Sequence, residues 1–102
     1  MEIKDILKRC DHTLLKPDAG WNDIRGIIDD GIKFEVASIC IPPCYVKRAS
    51  EYAGGRVKIT TVIGFPHGNE TTNTKVFQAQ CAIKDGAEEI DMVINIGEIK
   101  SG

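Results

Sequence analysis

Residues 57–65 read VKITTVIGF, a run crowded with β-branched side chains and closed by Pro66 and Gly68. After Lys58 it carries no charge and no helical spacing, so it predicts a strand covered on at least one face. The same pattern recurs on either side. Residues 34–41 (FEVASICI) stop at Pro42-Pro43, and residues 89–96 (EIDMVINI) follow Gly86. A shorter strand candidate, residues 11–15 (DHTLL), is broken at Pro17, Asp18 and Gly20.

Helical stripes lie between these runs. Trp21, Ile24, Ile27 and Ile28 form one that ends near Gly31. Tyr45, Val46, Ala49 and Ala53 form a second, closed by Gly54-Gly55. Asn69 or Thr71 caps a longer third helix through Asp85, with Val76, Phe77, Ala79, Cys81, Ala82 and Ile83 supplying apolar faces. Ile3, Ile6 and Leu7 predict a short leading helix over residues 2–9, and residues 97–102 open an unfinished element. The order is helix, then strand–helix three times, then a final strand. That order predicts an α/β fold with βαβ units and a parallel sheet, in one domain over residues 1–102. The chain shows no internal repeat and no low-complexity segment.

Composition narrows the function. The chain has 102 residues, 42% hydrophobic and 27% charged, with a net charge of -2. Its basic residues are scattered, so nucleic acid is not an expected partner. No stretch approaches the roughly 20 apolar residues of a membrane span, and residues 1–9 lack the apolar core of a secretory signal. A cytoplasmic location is therefore the expectation, with Cys10, Cys40, Cys44 and Cys81 as reduced thiols. Cys40 and Cys44 do not have CxxC spacing, and nothing in the spacing of His12 or His67 demands a metal.

In parallel α/β folds ligands gather at the carboxyl ends of strands. The polar residues there are Asp11, His12 and Thr13, then Ser38 and Cys40, then Thr60 and Thr61 with His67 beyond, then Asp91 and Asn95. Asp91 interrupts an apolar run between Ile90 and Met92. A carboxylate inside a strand is costly unless paired, so Asp91 reads either as a proton-handling acid or as a strand-end residue facing water. Asp11 admits a substrate role or a structural tie at the chain's entry, and Cys40 a core thiol or a pocket-lining one. His67 reads as an exposed loop histidine. Lys58 and Lys100 read as solvated surface charges rather than nucleophiles. There is no GxGxxG, Walker loop, HExxH or GxSxG.

Residues 11–17 (DHTLLKP), 37–43 (ASICIPP), 61–68 (TVIGFPHG) and 86–97 (GAEEIDMVINIG) together resemble deoxyribose-phosphate aldolase. Each is weak alone; their order and spacing make them specific. The resemblance runs from about residue 10 to the end and covers about the first half of the family's usual length. It implies the first half of a (β/α)8 barrel, four parallel strands with intervening helices. It also implies a class I aldolase of deoxyribonucleotide catabolism that needs no metal or other cofactor. Such enzymes reversibly cleave 2-deoxyribose 5-phosphate to glyceraldehyde 3-phosphate and acetaldehyde through a lysine Schiff base. Position by position, Asp91 matches the family's proton-relay aspartate, Cys40 a pocket-lining thiol, and Asp11 and Thr13 polar groups at the end of the first strand. The family's Schiff-base lysine lies on its sixth strand, the activating lysine on its seventh and the phosphate loops around the seventh and eighth. Lys58 and Lys100 match neither lysine. The resemblance therefore implies a small phosphorylated sugar as substrate of the complete enzyme, and no turnover by these residues alone.

A half-barrel would leave its first and fourth strands with open edges, which predicts marginal stability, homo-oligomerisation or pairing with a complementary half. Rival readings are another phosphate-sugar barrel enzyme, a non-catalytic half-barrel assembly or interaction module, and a thiol-based metal binder using Cys40, Cys44 and His67. The GFPHG and EIDMVIN stretches oppose the first of these.

Overall fold

A computed structural model describes residues 3–101. The chain forms α1 (Ile3–Leu7), β1 (Asp11–Thr13), α2 (Trp21–Phe34), β2 (Ser38–Ile41), a 3-10 turn (Pro43–Tyr45), α3 (Val46–Ala53), β3 (Ile59–Ile63), α4 (Thr72–Asp85), β4 (Glu89–Met92) and α5 (Ile96–Ser101). The strands make one sheet in the order β1-β2-β3-β4, and every pair is parallel. The parallel α/β expectation therefore holds.

Alternation along the strands separates two faces. Ile39, Ile41, Ile59 and Ile63 point to one side, where they join Ile24 and Ile28 of α2, Val46, Ala49 and Ala53 of α3, and Ala82 of α4 in a single buried cluster. Thr61 also points there, fully buried, and its hydroxyl donates to the Ile41 carbonyl at 2.7 Å. That bond removes the cost of burying a hydroxyl among isoleucines.

Several boundaries differ from the sequence expectation. The stripe of α2 does not end near Gly31. The helix runs on to Phe34 and closes at Glu35, a left-handed cap (φ 53°) whose amide bonds back to Gly31 and Ile32. Gly31 is a contact residue: a Cβ there would stand 2.8 Å from Ile39 Cγ2. Consequently β2 starts at Ser38, and Phe34 is a half-exposed helix residue. β1 is shorter than residues 11–15, although Leu14 still donates to the Cys40 carbonyl. β4 ends at Met92, because Asn95 begins a helix and its Oδ1 accepts from the Glu98 amide at 3.2 Å. The predicted leading helix is described only from Ile3. Expected features of α3 and α4 hold: Gly54 and Gly86 are left-handed caps, and the Thr71 side chain accepts from the Thr74 amide. The apolar residues of α4 do not all face the core, however. Ala82 does, while Val76, Phe77 and Ile83 are exposed.

Ile28 lies at the centre of this layer and is fully buried. Ile28→Ala is expected to lower the unfolding free energy by about 2–5 kcal/mol, read as an earlier urea midpoint at unchanged slope.

Candidate functional site

The face opposite the helices is polar. Strand register aligns Asp11 with Ser38, Thr13 with Cys40, Cys40 with Thr60, Thr60 with Glu89, and Val62 with Asp91. Partnered residues point the same way, so all of these share one face. The inner strands carry small side chains there, and Ser38, Cys40 and Thr60 are 1%, 5% and 1% exposed. The outer strands carry the acids: Asp11 on β1, Glu89 and Asp91 on β4, all exposed.

Each charge on this face meets a different situation. The Ser38 hydroxyl donates to Asp11 Oδ1. Lys58 Nζ lies 3.0 Å from Glu89 Oε1. That hydrogen bond, then the Glu89 charge, raises the Lys58 pKa above its ordinary value. An amine nucleophile needs the opposite shift, so Lys58 is held as a cation. Asp91 has no side-chain hydrogen bond or ion pair among the described residues, and the buried Thr60 hydroxyl is likewise unpartnered. Burial, then the Asp91 and Asp11 charges, push the Cys40 thiol from 9.0 to about 11. Both carboxylates therefore act on Cys40.

Of the residues singled out in the sequence, Asp11, Thr13, Cys40 and Asp91 thus lie together on this face. Asp91 is exposed, as the water-facing reading expects, and it lies on the same face as Cys40. His12 lies on the helix side, with Nε2 3.7 Å from Asp30 Oδ2. His67 is exposed in the loop after β3, and Lys100 is exposed on α5. Cys44 is exposed in the 3-10 turn, and no group of three or more His, Cys, Asp or Glu side chains that could hold a metal occurs among the described residues. A cavity of about 560 Å³ lies away from this face, beside α2, between Leu14 and Asp30. An apolar cleft of about 480 Å³ opens nearer the strand ends, between Leu15, Pro42, Tyr45 and Phe65.

Lys75 escaped the sequence reading. It is 9% exposed, and its Nζ donates to the Val93 carbonyl at 3.0 Å, just past the end of β4. The signal was its spacing, since Lys75, Ala79 and Ala82 fall on one stripe of α4.

The chain matches the family model of DeoC/LacD family aldolases over residues 6–101. It is 58% identical over its whole length to a deoxyribose-phosphate aldolase of Streptococcus agalactiae and 57% identical to one of Streptococcus pyogenes, spanning 46% of each. The chain therefore spans about half the length of these curated relatives. It superposes on the tetrameric deoxyribose phosphate aldolase of Aeropyrum pernix with TM-score 0.89 and 31% identity, over 93% of this chain and 41% of that one. The chain belongs to the DeoC/LacD aldolase family, and its strands and helices form the first half of a (β/α)8 barrel.

Thiolate rather than thiol is the reactive form. At pH 8, iodoacetamide is expected to modify the exposed Cys10, Cys44 and Cys81 well ahead of Cys40, whose thiol is buried and its pKa pushed up to about 11. Peptide mass spectrometry would resolve the sites, and equal rates at Cys40 would contradict the buried placement.

Proposed function

We propose that these residues supply the proton-handling half of a deoxyribose-phosphate aldolase site. The observation that carries this reading is the unpaired Asp91 carboxylate on the same face as Cys40, Asp11 and Thr13. Asp91 would take and return protons as the substrate's carbon–carbon bond is cleaved. Asp11, Thr13 and Cys40 would line the pocket for a small phosphorylated sugar. The Schiff-base lysine would come from outside these 102 residues and serve as the electron sink after condensing with the carbonyl carbon. No metal or other cofactor enters this chemistry. No helix among the described residues is long and apolar enough to cross a membrane, which fits the proposed cytoplasmic setting.

A second reading, a half-barrel assembly module, is favoured by the exposed apolar side chains of Met92, Ile94, Ile96 and Ile99 next to the open edge of β4. Such a patch marks a contact surface. Sedimentation at low concentration decides it. Association with a second copy supports the module, and a monomer with a sharp unfolding transition counts against it.

The catalytic reading is tested by joining the chain to the part of the Streptococcus agalactiae relative beyond the matched region. The chimera is expected to cleave 2-deoxyribose 5-phosphate, and Asp91→Asn to lower its kcat by about 10²–10⁴-fold with the fold intact. Borohydride with acetaldehyde is expected to leave no adduct on the 102-residue chain alone. Full activity of the Asp91→Asn chimera, or an adduct on Lys58 or Lys100, would refute the assignment.

A further inference from the structure

We infer that Lys75 is a positioning residue for Asp91: its ammonium pins the carboxyl end of β4 and so fixes where the Asp91 carboxylate stands beside Cys40. This rests on the role proposed above for Asp91. A lysine usually carries its ammonium out to water along an apolar stem. Lys75 does the reverse. It is nine-tenths buried on the inner stripe of α4, and its Nζ donates to the Val93 carbonyl at 3.0 Å.

The path of the side chain is built into the fold. β3 leaves the sheet at Gly64, where φ is +67°. A Cβ at Gly64 would stand 3.1 Å from Lys75 Cε and 2.9 Å from Glu70 Oε2, so a side chain there would press on the lysine stem as well as strain the left-handed backbone. The Glu70 oxygen is itself buried without a hydrogen-bond partner. On the sheet side, the Val93 amide donates to the Ile63 carbonyl at 2.9 Å. Val93 is thus held at its N–H by the last residue of β3 and at its C=O by Lys75. Asp91 lies two residues earlier on the sheet's edge strand, where β3 gives it a backbone partner on one side only.

Cys40 provides a local reporter, because the Asp91 charge suppresses its ionisation. The charged groups on its face are Asp11, Lys58, Glu89 and Asp91. The experiment measures the alkylation rate of Cys40 against pH in the 102-residue chain, by mass spectrometry of its own peptide. Lys75→Met keeps the stem and removes the ammonium. The profile is expected to move to lower pH, as it does in Asp91→Asn, with alkylation at fixed pH rising roughly three- to tenfold. Lys75→Arg keeps the donors and is expected to leave the profile in place. Lys75→Met added to Asp91→Asn is expected to give no further shift.

The sign separates positioning from simple charge loss, because removing a nearby cation would move a thiol to higher pH. Circular dichroism reports whether each variant folds, and Lys75→Gln carries the same test should Lys75→Met not fold. An unchanged or upward profile, or additive shifts in the double variant, would overturn the proposal. The readout is a thiol and not turnover, so failure of the catalytic reading of Asp91 would appear in the chimera while this result stood.

Discussion

Parallel register is the constraint on which the rest of the structure depends. It keeps Ile39, Ile41, Ile59 and Ile63 in one rank against the helices, and it keeps Asp11, Ser38, Cys40, Thr60 and Asp91 in the opposite rank. Burying each isoleucine contributes about 1.5–3 kcal/mol. A slip of one residue in β3 would turn Ile59 and Ile63 away from the helices and drive Thr60 and Val62 into them. The same energy that drives packing on the helix side therefore fixes which polar groups meet on the other. The site geometry is a by-product of the core.

Side-chain size carries the second half of that constraint. The inner strands present Ser38, Cys40 and Thr60 to the polar face, and these are buried. Small residues on the inner strands and acids on the outer ones set a thiol between carboxylates. Burial of Cys40 and the Asp91 and Asp11 charges together account for its raised pKa.

The sequence made the element order legible because β-branched runs and helical stripes alternate with little ambiguity. It also pointed to Asp91, since a carboxylate between Ile90 and Met92 breaks the apolar pattern. Boundaries were less legible where one residue could serve two elements. Val36 and Phe34 look like strand residues, yet a left-handed Glu35 ends a helix beside them. Ile94 and Ile96 look like more of β4, but Asn95 between them caps α5. Lys75 was hidden for another reason. A lysine in a helix is taken as solvated by default, and its burial depends on Gly64, a residue on a different element. Contacts between distant residues of this kind leave only a faint trace in local spacing.

Charge balance on the polar face bears on what could cover it. Glu89 is neutralised by Lys58, and Asp11 is held by a neutral hydroxyl. Asp91 has no ion pair or side-chain hydrogen bond among the described residues, which costs little while it is exposed. Were further strands to close over this face, an unpaired carboxylate would become expensive, because a buried charge needs a partner or must take up a proton. Such elements would have to bring a cation or hydrogen-bond donors to Asp91, or else favour its protonated form. Either outcome yields a group whose protonation is coupled to whatever lies opposite, the property required of a residue that exchanges protons with a substrate. On the reading proposed above, an edge carboxylate left unsatisfied beside a buried lysine would be half of an acid–base site, its chemistry set by whatever came to lie opposite.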